Sequence, residues 1–127
     1  MDVTPLVRKG QQIIQSYSGG SFKISGQVYD HAVIVSPDET VAWDVGGERN
    51  VDGLNEIHFL SLISKSDDID VLLLGTGKDI CFLPPELKKA LKKQGLGIDV
   101  MDTGAACRTY NVLMAEGRRV VCALLPA

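Results

Sequence analysis

The sequence predicts a single α/β domain in which an N-terminal β-meander precedes alternating helices and strands, and three observations carry that prediction. The first third is built of short runs such as Phe22-Lys23-Ile24, alternating apolar and polar, and separated by turn residues such as Ser36-Pro37-Asp38-Glu39. Val71-Leu72-Leu73-Leu74 is an uninterrupted apolar run, the pattern of a strand covered on both faces. Beyond it, helical spacings and strand-like runs succeed one another, which points to helices packed on a sheet. A length of 127 residues suits one domain spanning 1–127, and 45% hydrophobic with 23% charged residues is ordinary globular composition.

Residues 1–10 carry Pro5 and read as a loosely held lead-in. Within 11–17, the β-branched pair Ile13-Ile14 indicates a first strand. Ser18-Gly19-Gly20 supplies a turn, and Phe22 and Ile24 alternate with Lys23 and Ser25 as in a half-buried strand. Ser25-Gly26 marks a break or bulge before a longer strand over 28–35. After the Pro37 turn, 40–45 returns antiparallel to it and carries Trp43, the only tryptophan. Gly46-Gly47 and the polar stretch 48–53 form a loop, and Asn55 or a near neighbour caps a helix running to about Lys65. Ser66-Asp67-Asp68 ends that helix, and 70–75 is the buried strand. Pro85 suits a first helical position, where its missing amide hydrogen costs nothing. Leu87, Ala90 and Leu91 form the buried stripe of this helix, and Gly95 sits where a left-handed C-cap belongs. A short strand over 97–101, a helix from Thr103 to about Glu116 stopped by Gly117, and a last strand over 119–125 complete the order.

A net charge of −3 argues against nucleic acid as the main partner, because phosphate binding needs concentrated positive charge. No basic segment followed by an apolar one opens the chain, and no apolar run approaches the ~20 residues of a membrane-spanning helix. A soluble, cytoplasmic protein is expected. The three cysteines lack zinc-ligand spacing, so Cys81, Cys107 and Cys122 are expected as buried free thiols in a reducing compartment.

Gly75-Thr76-Gly77 ends the buried strand, a place where backbone amides can approach a ligand such as phosphate. A dinucleotide fingerprint would need glycine or alanine where Ile80 stands, and the Gly-Lys-Ser/Thr ending of a P-loop is absent. The turn is either a tight structural one or a ligand-contacting loop. At the next helix, Asp102 or Thr103 can cap free amides near the positive end of the dipole. Ala106, Cys107, Tyr110, Leu113 and Met114 share one apolar face, whereas Arg108 and Asn111 are neighbours on another. Arg108 beside Thr109 and Asn111 either binds an anion or serves a structural hydrogen-bond network.

Cys107 is the obvious candidate nucleophile, but it falls on the apolar face, and buried core is the favoured reading. His31, in the strand over 28–35, and His58 have no spaced partners for a metal, and no Gly-x-Ser-x-Gly elbow anchors a triad. Asp44, Glu48, Asp52 and Glu56 fit a solvated loop as well as an acid–base pair. Lys88, Lys89, Lys92 and Lys93 occupy the solvent side of the Pro85 helix, either as a solvated face or as a patch for an acidic protein or anionic headgroups. No catalytic residue can be named, and no metal or cofactor is expected.

Ile24-Ser25-Gly26 with Tyr29, Gly75-Thr76-Gly77, Pro84-Pro85, and the run Thr103-Gly104-Ala105-Ala106-Cys107-Arg108-Thr109-Tyr110-Asn111-Val112-Leu113 recur in one known pattern. With Glu116-Gly117-Arg118-Arg119-Val120, they make the chain resemble a family of small domains of unknown function. Its eukaryotic members include mitochondrial respiratory complex I assembly factors of the assembly factor 3 type. The likeness covers nearly the whole chain, is most specific at Arg108-Thr109-Tyr110-Asn111, and looks like that of a bacterial member without a mitochondrial presequence. The resemblance implies a three-layer α/β fold with a central mixed sheet flanked by helices. It also implies a non-catalytic assembly or interaction role with protein partners, in peripheral contact with a membrane complex. The competing expectation is a small-molecule or anion binder, or an enzyme. Its pocket would lie between the Gly75–Gly77 turn and the Thr103 helix start, drawing on Gly75, Thr76, Gly77, Asp102, Thr103, Arg108, Thr109 and Asn111.

Overall fold

The computed structural model describes residues 10–47 and 50–127. Most of the lead-in and Glu48 of the acidic cluster lie outside the described residues. The chain runs β1 (Ile14–Ser16), β2 (Phe22–Ile24), β3 (Gln27–Tyr29), β4 (Val33–Val35), β5 (Thr40–Ala42), α1 (Leu60–Ile63), β6 (Val71–Gly75), α2 (Pro85–Lys93), β7 (Ile98–Met101), α3 (Thr103–Ala115) and β8 (Val120–Leu124). Two sheets result. β1, β2 and β3 form a small antiparallel meander, and the central mixed sheet has the order β5-β4-β8-β6-β7. β6 runs parallel to both β7 and β8, while β4 is antiparallel to β5 and β8. This is the three-layer α/β architecture that the resemblance implied, with the meander as an additional β-layer.

Strand alternation divides the interior into two cores. Ile34, Leu72, Leu74, Ala123 and Leu125 face one side, where they meet Trp43 just after β5, Phe59 just before α1, Leu62 of α1 and Leu91 of α2. Val33, Val35, Leu73, Val120, Cys122 and Leu124 face the other, against α3 and the inner residues Ile14, Phe22 and Ile24 of the small sheet. The apolar run 71–74 is thus explained, because β6 lies inside the sheet and is covered on both faces.

The expected strand over 28–35 is two strands in two sheets. Ser25 and Gly26 both have positive φ, 45° and 84°, and close the β2–β3 hairpin as a turn, not a bulge. The chain then leaves the small sheet at Asp30-His31, outside any strand, and enters the central one at Val33. The stretch expected as a plain polar loop contains a 3-10 turn, Val51–Gly53, that buries Val51. Asn55 does cap the next helical stretch, a 3-10 segment (Glu56–Phe59) leading into α1, with His58 Nδ1 accepting from the Asn55 amide at 3.0 Å. Trp43 ties this segment to the sheet by donating from Nε1 to the His58 carbonyl at 2.7 Å and lying edge-on to Phe59. Pro85 is at the start of α2, and Gly95 takes a φ of 91° just after it.

Candidate functional site

The C-terminal end of β6 and the start of α3 meet. Gly75 has no room for a side chain: a Cβ there would sit 2.8 Å from Leu124 Cδ2 and 3.0 Å from Thr103 Cα. Gly77 has a φ of 105°, which L side chains rarely adopt. Between them, Thr76 is buried, and its hydroxyl donates to the Asp79 carbonyl at 2.7 Å and accepts from the Cys81 amide at 3.1 Å. One glycine permits close approach of strand and helix, the threonine closes the adjoining loop, and the second glycine turns the chain.

Thr103 is completely buried. Its hydroxyl accepts from the Gly77 amide at 2.8 Å and donates to the Leu125 carbonyl at 2.6 Å, joining three segments that are distant in sequence. The Thr103 amide donates to the Gly77 carbonyl, and Asp102 Oδ1 takes the Ala105 amide at 2.8 Å as the N-cap of α3. The Thr103 and Ala105 amides at the positive end of the dipole are therefore engaged within the protein.

On the opposite flank of α3, Asn111 holds β1 through both atoms of its amide. Oδ1 accepts from the Ile14 amide at 2.9 Å and Nδ2 donates to the Ile14 carbonyl at 2.8 Å. The fully buried Tyr110 donates from its hydroxyl to the Gln12 carbonyl. Arg108 is exposed and donates from Nη1 to the Tyr17 hydroxyl at 2.7 Å. Gly104 makes room for that tyrosine, since a Cβ on it would lie 2.9 Å from the ring. Thr109 is half-buried on the same helix. Tyr17 was not singled out by sequence reasoning, and no local signal could have found it, because it lies 91 residues from Arg108.

The thiols divide. Cys107 and Cys122 are buried as expected, whereas Cys81 is exposed. Burial pushes the Cys107 thiol up to about 12 despite the nearby Arg108, and burial raises Cys122 well above the ordinary thiol value. Cys107 is a protonated core residue at neutral pH, not an activated nucleophile. Among the described residues, no group of three or more His, Cys, Asp or Glu could hold a metal ion, and every buried side-chain N or O has a partner.

A cleft of about 1090 Å³ lies at the other end of the sheet, where Val120 begins β8, under the Pro37–Glu39 turn and beside Lys65 and Met114. None of the eight candidate residues lines it. Its rim carries both signs of charge, including the Lys65–Glu39 ion pair at 3.6 Å. Of the eight candidates, Gly75, Thr76, Gly77, Asp102 and Thr103 gather at the start of α3, whereas Arg108 turns to Tyr17 and Asn111 to β1.

Residues 14–125 match a family described as Protein of unknown function (DUF498/DUF598). NADH dehydrogenase [ubiquinone] 1 alpha subcomplex assembly factor 3 of Xenopus tropicalis is 33% identical over 98% of this chain and 67% of its own length. An uncharacterised protein of Rhodobacter capsulatus is 34% identical over 89% of this chain and 83% of its own. A crystal structure of a Bordetella parapertussis protein superposes with a TM-score of 0.80 at 33% identity, covering 94% of this chain and 98% of that one. The chain spans between 58% and 67% of the length of the assembly-factor relatives it matches.

Proposed function

The chain belongs to the DUF498/DUF598 family, and from that membership we propose that it is a non-catalytic interaction protein that assists assembly of a membrane respiratory complex. The observation that carries the reading is the likeness, over 89–98% of this chain, to vertebrate proteins named as an NADH dehydrogenase assembly factor. The geometry around α3 supports it. The hydroxyls of Thr76 and Thr103, the carboxylate of Asp102 and the amide of Asn111 are engaged in holding backbone, and Cys107 is a protonated core thiol. We assign Gly75, Thr76, Gly77, Asp102, Thr103 and Asn111 to the architecture of the domain, and leave exposed Arg108 with Tyr17 as the part of the motif that a partner can reach. Half-buried Thr109 belongs to the same helix surface. Peripheral attachment suits a chain in which no helix of the described residues is long and apolar enough to cross a membrane.

Affinity capture of the tagged protein from its own cells, after mild cross-linking, tests the reading. Subunits of a respiratory NADH dehydrogenase should be recovered, and Arg108→Glu should reduce their yield while leaving the thermal unfolding midpoint close to that of the parent. Recovery of no respiratory or membrane-assembly protein in repeated captures counts against it. Stabilisation of the protein by a metabolite in a thermal-shift screen would favour the ligand-binding alternative, because a ligand that binds only the folded state raises its apparent stability.

A further inference from the structure

The loop between β6 and α2 is held rigidly from below and presents apolar side chains above. The buried Thr76 hydroxyl bonds both Asp79 and Cys81 backbone, and Leu83 is sunk in the core. Yet Ile80 and Phe82, on the same short loop, are 50% and 76% exposed. A phenylalanine that open, on a loop fixed at both ends, is not packing within this chain.

The charge around it is equally one-sided. Residues 78–94 carry Lys78, Lys88, Lys89, Lys92 and Lys93 against Asp79 and Glu86, a net +3 in a chain of net −3, so the remaining residues carry −6. Leu87 and Leu91 turn α2 toward the core, which leaves its lysines on the outer side. Phe82 precedes the first residue of α2 by three positions, so it lies within roughly 15 Å of Lys88 by chain length alone.

We infer that the 78–83 loop and the lysine face of α2 form one surface that docks on an anionic lipid bilayer. Ile80 and Phe82 enter the boundary between headgroups and acyl chains, and the lysine ammonium groups meet lipid phosphates. A basic face beside an apolar tip is the chemistry of interfacial binding, in which buried apolar area and attraction to anionic lipid add. An acidic protein is the less fitting occupant, because protein interfaces are depleted in lysine and enriched in arginine, and this surface has lysine alone. The inference does not rest on the assembly role, since vesicles contain no protein client.

The purified chain, mixed with vesicles of phosphatidylcholine alone or of phosphatidylcholine with phosphatidylglycerol, tests it by flotation. The protein should float with the anionic vesicles at low salt, lose them as salt rises, and ignore the neutral ones. Each lysine near the surface contributes about fivefold, so Lys88→Gln with Lys92→Gln should weaken binding by roughly 25-fold. Phe82→Ser should also weaken it, with the thermal midpoint retained in both variants because all three residues are exposed. The exposed Cys81 gives a local readout: an environment-sensitive fluorophore on it should shift to the blue on anionic vesicles. Absence of flotation with anionic vesicles overturns the inference, as does flotation indifferent to both variants. Binding to immobilised polyglutamate without vesicle binding would assign the surface to an acidic protein instead.

Discussion

Replacing Thr103 with valine separates architecture from ligand chemistry at the start of α3. The change keeps shape and volume nearly constant and deletes one oxygen atom. That oxygen is fully buried and serves the Gly77 amide at 2.8 Å and the Leu125 carbonyl at 2.6 Å. A buried polar group left without a partner costs about 1–3 kcal/mol, so stranding both should cost roughly 2–5 kcal/mol. With an unfolding entropy of about 2.1 cal/mol/K per residue, each kcal/mol moves the midpoint of a chain this size by ~4 °C, so Thr103→Val should melt roughly 8–20 °C lower. Urea unfolding should show the same loss as a lower midpoint with an unchanged slope. Thr103→Ser keeps the hydroxyl and should recover most of the stability. If Thr103→Val unfolds within a degree or two of the parent while losing a binding function, the hydroxyl serves a ligand and the structural account of this residue fails.

Other consequences are as direct. Gly75→Ala should destabilise by about 1–3 kcal/mol through overpacking, since the new methyl must displace Leu124 and the Thr103 backbone; a urea midpoint equal to the parent's would show that the strand–helix contact yields. Asn111→Ala should free β1, costing about 1–3 kcal/mol and accelerating amide exchange of Ile14 far more than that of Leu73 in β6. A thiol reagent under native conditions should modify Cys81 alone, with Cys107 and Cys122 reacting only on unfolding; rapid native labelling of Cys107 would overturn its place in the core. Burial holds the Cys107 proton in the folded state to about 12, above the 9.0 of an open thiol, so the unfolded chain releases its proton first. The contribution is therefore complete below about pH 9 and is lost as pH rises toward about 12, and urea midpoints should fall over that window, less so in Cys107→Ala.

What could be read from the residues was whatever local chemistry enforces. Leu72, Leu73 and Leu74 announced a strand buried on both faces because nothing polar interrupts them. Pro85 and Gly95 marked the ends of α2 because each suits only a few backbone conformations. The division between sheets at Asp30-His31 was not legible, since Val28 and Val33 have the same preference for extended chain and only pairing partners distinguish them. Exposure of Cys81 escaped for a related reason: its backbone is tied to the Thr76 hydroxyl while its side chain faces solvent, a contact that composition does not record. The contacts of the candidate residues were not legible either. Thr103, Asn111 and Arg108 became interpretable only with Leu125, Ile14 and Tyr17 in place, partners 22, 97 and 91 residues away.

The most direct test of the account is assembly itself. Native-gel separation of membranes from cells lacking this protein should show NADH dehydrogenase subassemblies accumulating at the expense of the mature complex. Re-expression of the parent chain, and of Cys107→Ala, should restore the mature complex, because Cys107 is a buried core residue. Mature enzyme at undiminished level in the deletion strain would contradict the assembly role. Restoration by the parent but not by a stably folded Cys107→Ala would contradict its non-catalytic character.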